Sequence, residues 1–177
     1  MNKVQRGGVA ATVIAAAVAL AVPITSGFEG LRTKPYRDPA GIPTVCYGET
    51  AVPMQDYSAA ECVEMLAKRQ TKDFAPLVVR AVPALGEPDH VQQLAASLDF
   101  AYNVGTFTNT SMARLFRDGR WAEGCDAFTL YTKAHVHGKL TVLPGLVIRR
   151  QCEKAMCLGD VASFRQYCPA DAVMRII

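Results

Sequence analysis

A chain of 177 residues is long enough for one compact domain, or for two small lobes sharing a connecting helix. Half of the residues are apolar and 20% are charged, which excludes a disordered chain. The formal net charge of +3 comes without clustered lysine and arginine, which excludes the electrostatic footprint of a nucleic-acid binder.

Lys3 and Arg6 precede an uncharged run from Gly7 to Gly27, the pattern of an export signal or a membrane span. A bilayer crossing needs ~20 residues, so the run is long enough. Its larger apolar groups are only Val9, Val13, Ile14, Val18, Leu20, Val22 and Ile24; most of the rest is Ala, Gly, Thr and Ser. Alanine contributes little transfer free energy, so such a helix is held in a bilayer less firmly than a leucine-rich one and is able to leave it. Ala19-Leu20-Ala21 offers a competing reading, the small-x-small site of a cleaved signal peptide. A helix buried in a soluble core fits less well, because basic residues precede the run and no polar stripe interrupts it. Pro23 suits the start of a helix, and a short helix from there, with Ile24 and Phe28 four apart, would present Glu29 at its end. The expected organisation is an export or anchor segment over residues 1–27 and one folded domain over residues 28–177.

After Glu29 the composition shifts to Pro, Gly, Asp, Tyr and Thr. Asp38-Pro39-Ala40-Gly41 is a turn, and the alternating pieces Lys34 to Arg37 and Thr44 to Tyr47 predict a small hairpin sheet. Ser58-Ala59-Ala60-Glu61 is a capping box opening a helix to about Thr71, after which Pro76, Pro83 and Pro88 punctuate the path. Val91, Leu94, Leu98 and Ala101 recur at helical spacing and predict a buried central helix from about His90 to Tyr102. Asn109 is the expected cap of a helix through Met112, Leu115 and Phe116, closed by Gly119. Helices are expected over Trp121–Lys133 and Leu146–Leu158, with a loop from His135 to Pro144 between them. The fold class is α+β: a small hairpin lobe and a larger, mostly helical lobe joined by a helix.

The six cysteines are Cys46, Cys62, Cys125, Cys152, Cys157 and Cys168. None forms a Cys-x-x-Cys pair and only three histidines exist, which argues against a structural zinc site. An even, scattered set reads as three disulfides made in an oxidising compartment, in keeping with export, but spacing alone leaves the pairing open.

Two carboxylates bracket the change in composition. A glycosidase needs one carboxylic acid to protonate the leaving oxygen and a second carboxylate across the sugar. Glu29 has apolar neighbours, whose desolvation favours a neutral carboxyl, and is the candidate acid. Asp38 lies in a polar turn where it stays ionised, and the Thr44 hydroxyl is placed to hold a water. Taken alone, a Glu and an Asp on neighbouring segments are usually solvated charges, and Asp-Pro is more often a turn than a catalyst.

Several separated stretches change that reading. Phe28-Glu29-Gly30, Tyr36-Arg37-Asp38-Pro39 and the run from Gly41-Ile42-Pro43-Thr44 to Gly48-Glu49-Thr50 resemble the active-site stretch of phage-type lysozymes, glycoside hydrolase family 24. Phe100-Ala101-Tyr102-Asn103-Val104-Gly105, and Pro144-Gly145-Leu146 through Arg149-Arg150 to Glu153, match later segments in the same order. The weak N-terminal anchor and the cysteines at 46, 62, 125 and 157 resemble the signal-anchor-release endolysins within that family. The resemblance implies a lysozyme-like fold and an inverting muramidase that needs no metal and no other cofactor. It implies Glu29 as general acid, Asp38 and Thr44 as the groups that position and activate water, and Asn103 near the cleft floor. From the residues alone, Asn103 fits equally well as a cap of the central helix before Gly105. The preferred disulfides are Cys46 with Cys62, Cys125 with Cys157, and then Cys152 with Cys168. The expected partners are peptidoglycan and, before release, the host inner membrane; the expected final location is the periplasm, as a monomer.

Two departures from the family pattern stand out. Glu49 occupies a position that is often histidine, and the loop His135-Val136-His137-Gly138-Lys139-Leu140 lacks an aromatic residue common there. His135 and His137 lack further metal ligands and read as a polar loop. Other readings remain: a lytic transglycosylase, which keeps Glu29 and dispenses with Asp38 and Thr44, or an exported wall-binding module without turnover. A thiol enzyme built on Cys46 finds no obvious histidine partner.

Overall fold

The computed structural model describes residues 3–38 and 40–177, with the side chains of residues 3–7 and 9 left aside; Pro39 of the expected turn lies outside the described residues. One long helix, α1 (Lys3–Glu29), opens the chain. Within it, Ala10–Glu29 is long and apolar enough to cross a bilayer, with a mean hydropathy of 1.9. The helix does not start at Pro23, as expected from the sequence; Pro23 lies inside it. Proline within a helix costs about 3 kcal/mol, because it has no N–H for the carbonyl one turn back. That cost is offset on the N-terminal side of Pro23, where Val13, Ala17, Val18, Ala21 and Val22 enter the same core as Ile24. The opposite side of this stretch, Ala11, Thr12, Ala15, Ala16 and Ala19, faces outward. Val13, Val18, Val22 and Ile24 thus mark the packed side of α1 together with Ala17 and Ala21, while the open side carries alanine and threonine.

Gly30, at φ +73°, takes the left-handed conformation that ends α1 and turns the chain into β1 (Arg32–Arg37). β1 pairs antiparallel with β2 (Pro43–Cys46), Tyr36 opposite Thr44 and Arg32 opposite Cys46, with an irregularity between. The chain then reverses through Cys46, Tyr47 and Gly48, so that Glu49 bridges back to Val45.

The capping box forms as expected: Ser58 Oγ accepts from the Glu61 N–H and the Glu61 carboxylate accepts from the Ser58 N–H. It opens α2 (Ala59–Arg69), which runs on through a π turn (Gln70–Phe74) into α3 (Ala75–Ala81). The central helix α4 (Val91–Val104) is buried continuously from Leu94 to Ala101 and closes on Gly105. It packs against α1 and α7 (Pro144–Leu158). Between them lie α5 (Ser111–Arg117) and α6 (Trp121–Asp126). Thr110, not Asn109, caps α5: the Thr110 side chain accepts from the Ala113 N–H and ties back to the Phe107 carbonyl. The helix expected over Trp121–Lys133 ends early, at Asp126, and tightens into a 3-10 turn over Ala127–Leu130 that buries Phe128.

The segment from His135 to Pro144 is not a loop. It forms most of a second hairpin, β3 (Lys133–Val136) with β4 (Lys139–Val142), turning on His137 and Gly138, both at positive φ. Two consecutive positive φ values suit the twist of a two-residue hairpin turn, and Gly138 was the available signal for it. Beyond α7 come α8 (Val161–Tyr167) and α9 (Ala170–Ile176); α9 lies against α1. The approach is close at one point: a Cβ added to Gly27 would fall 2.3 Å from Pro169 Cβ.

Three disulfides join Cys46 to Cys62, Cys125 to Cys157, and Cys152 to Cys168. They tie the first hairpin to α2, α6 to α7, and α7 to the chain entering α9, each contributing ~2–4 kcal/mol.

Candidate active site

Glu29 is the last residue of α1, and its side chain remains 27% exposed. It is not surrounded by apolar groups alone: Arg149 Nη1 on α7 donates to Glu29 Oε1 at 2.7 Å. The same guanidinium grips Asp99 of α4 with two bonds, Nε to Oδ2 at 3.0 Å and Nη2 to Oδ1 at 2.8 Å. Thr25 Oγ1, one turn before Glu29 on α1, donates to Asp99 Oδ1 at 2.7 Å and accepts from Gln70 Nε2 at 2.7 Å. Helix α1 is therefore clasped twice by one buried ion pair, through Thr25 on Asp99 and through Glu29 on Arg149.

Glu153 and Arg150 complete the cluster, with Arg150 Nη1 3.1 Å from Glu153 Oε2 and Arg150 Nη2 donating to Asn103 Oδ1. Burial on its own would raise the Asp99 carboxyl, but Arg149 beside it holds it below the usual carboxylate range. Burial pushes the Glu153 carboxyl well above that range, against the pull of Arg150. Arg149 faces Glu29, Asp99 and Glu153, and Arg150 faces Glu153. Removing Arg149 leaves the fully buried Asp99 without its main partner, which costs ~3–5 kcal/mol. Arg149→Met is expected to lower the free energy of unfolding by about that amount in urea titrations. Arg149→Lys should recover only part of it, because an ammonium does not reproduce the two-pronged bond to Asp99.

Asp38 and Thr44 meet on a single residue of the first hairpin. Asp38 Oδ1 accepts from the N–H groups of Ala40 and Ile42, each at 2.9 Å, and Thr44 Oγ1 donates to the Ile42 carbonyl at 2.9 Å. Thr44 is buried, while Asp38 is half-buried. The hydroxyl proton of Thr44 being committed to Ile42, its oxygen is left as an acceptor. Among the described residues no hydrogen bond or ion pair links Glu29 to Asp38 or Thr44; the hairpin that follows α1 carries the pair, and α7 holds the glutamate. Asn103 does not cap α4, since the Gly105 N–H closes the helix on Ala101; its side chain is held by Arg150.

Glu49, where histidine was the family expectation, is buried and pairs with Arg69 of α2 at 3.3 Å. His135 lies on β3 opposite Leu140, and His137 in the hairpin turn. Sequence reasoning gave no role to Thr25, Asp99 or Arg149. The available signal was Asp99, the one charged residue in the central helix.

Comparison with known proteins finds relatives along most of the chain. The phage lysozyme family matches residues 26–153. A SAR-endolysin of Pseudomonas phage phiKMV is 39% identical over 167 residues, covering 93% of this chain and 97% of that protein. The muramidase domain of SpmX from Asticaccaulis excentricus superposes with a TM-score of 0.63 at 29% identity, over 78% of this chain and 94% of that one. The active form of P1 phage endolysin Lyz shares the fold with a TM-score of 0.63 at 23% identity, over 80% of this chain and 83% of that one. From motifs, architecture and relatives together, the chain belongs to the phage lysozyme family.

Proposed function

We propose that the protein is a signal-anchor-release endolysin, which hydrolyses the β-1,4 bond between N-acetylmuramic acid and N-acetylglucosamine and so lyses the host. The observation that carries this reading is a partly exposed, Arg149-held Glu29 followed by an Asp38–Thr44 unit on the next hairpin. Glu29 gives its proton to the leaving glycosidic oxygen as the bond to the anomeric carbon breaks. Water, held by Asp38 and Thr44, attacks that carbon from the opposite face and passes its proton to Asp38. The configuration is inverted, and no metal or cofactor takes part.

Residues 1–27 act first as the anchor. While α1 spans the inner membrane it is not packed on α4, and Thr25 and Glu29 are kept from Asp99 and Arg149, so the site is incomplete. On release into the periplasm α1 packs and Glu29 takes its place. Support comes from the same residues serving both states: Ala10–Glu29 satisfies the length and apolarity of a span, and one side of it enters the core. Purified enzyme on outer-membrane-stripped cells should clear turbidity and yield reducing-end muramic acid, initially the α-anomer. An anhydro end would identify a lytic transglycosylase instead, and unchanged turbidity a binding module.

A further inference from the structure

A second concave site lies between the Glu49 turn and α2, with a cavity of about 360 Å3. Neither Glu29, Asp38, Thr44 nor Asn103 lines it. Its charged walls are Glu49, Lys68, Arg69, Lys72 and Asp73, and Val52 and Met65 give it an apolar side. The Glu49 side chain is only 8% exposed. One carboxylate oxygen, Oε2, faces Arg69, but Oε1 is buried and has no hydrogen-bond partner. A buried acceptor in that condition costs ~1–3 kcal/mol, and charged groups more, so it needs a reason. The site also lies along the π turn of Gln70–Phe74, which supplies Lys72 and Asp73, and π turns recur where helices carry function.

The chemistry of the walls defines what fits. Glu49 Oε1 calls for a donor, and an ammonium satisfies it best. Lys68 and Lys72, four residues apart, are exposed and suited to a carboxylate close by. Val52 and Met65 suit a short aliphatic arm. A ligand with an ammonium and a carboxylate on one carbon, at the end of a methylene chain, meets all three demands. A wall stem peptide containing a diamino acid presents such a group. We infer that the Glu49 cavity recognises the zwitterionic diamino-acid end of a peptidoglycan stem peptide, outside the Glu29–Asp38 site. The inference rests on the muramidase reading and adds peptide recognition to it.

The test compares kcat/KM on peptide-bearing sacculi containing meso-diaminopimelate with kcat/KM on the same glycan stripped of its peptides by an amidase. One charge-assisted bond to a buried group corresponds to a preference of about 10- to 100-fold for the peptide-bearing form. Glu49→Gln should bring the ratio close to one. Lys72→Ala, which leaves the Glu49–Arg69 pair intact, should lower it in part and keeps the test open if the first variant folds poorly. Titration of the folded wild type with free meso-diaminopimelate should shift the amide resonances of residues 49–52 and 68–73. Equal rates of wild type on both glycans, or a preference that survives both substitutions, would overturn the site while leaving the muramidase reading standing. No turnover on either glycan would remove both.

Discussion

Glu29→Gln is expected to cut turnover of peptidoglycan by about 10²–10⁴-fold, the usual worth of a general acid. The amide keeps the shape of the side chain but has no proton of suitable acidity for the leaving oxygen. The fold should survive, because the Glu29 side chain is partly exposed and Arg149 keeps its two bonds to Asp99. The check is a lysis assay beside a thermal melt: near-wild-type lysis with a normal melt would sink Glu29 as the acid. Asp38→Asn is the sharper companion variant. An asparagine oxygen still accepts from the Ala40 and Ile42 N–H groups, so the turn is preserved and lost activity reports on the missing carboxylate alone.

Strengthening the anchor should separate release from catalysis. Ala11, Ala15 and Ala19 lie on the outward side of α1, where leucines meet no core. Each Ala→Leu change adds about 2 kcal/mol of apolar transfer. The combined Ala11→Leu, Ala15→Leu, Ala19→Leu protein is expected to stay in the membrane fraction and to delay lysis strongly. Ala17 is unsuitable for this purpose, being fully buried, so leucine there would overpack the released enzyme. Fractionation and a lysis curve give the answer. Lysis on schedule by the triple variant, or a periplasmic protein whose mass begins at Val22, would identify an ordinary cleaved signal. Cleavage there would also take Val13, Ala17, Val18 and Ala21 out of the core.

Local signals in the sequence were legible wherever a short motif determines its own geometry. Ser58 and Glu61 fix the start of α2 by hydrogen bonds within one turn, and Leu94, Leu98 and Ala101 mark α4 by period alone. Sequence and structure part where two residues compete for one role or where distant packing decides. Asn109 and Thr110 are both able to cap, and the neighbouring Phe107 carbonyl favoured Thr110. Pro23 reads as a helix start, yet burial of the preceding valines carries the helix through it. Lys133–Val142 hides a hairpin because its alternating residues are mostly exposed, so little hydrophobic contrast marks the strands. The motif residues Glu29, Asp38 and Thr44 were conspicuous through resemblance. The Thr25–Asp99–Arg149 clasp was not, because its members lie far apart in the chain and only the packing of α1, α4 and α7 brings them together.

The close approach of Gly27 to Pro169 ties the seat of the first helix to the far end of the chain. Pro169 follows Cys168, so its position depends on the bond to Cys152 in α7. The seat for Gly27 is therefore built from the far end of the chain, next to a disulfide. Contacts between the two ends also carry the largest loop-closure entropy of any in the molecule, which makes them slow to form. The expected order is therefore that the body around α4 and α7 protects its amides first and α1 docks onto it afterwards, which hydrogen exchange during refolding would show. With Glu29 at the end of that helix, such an order would make the candidate site the last part of the molecule to be completed.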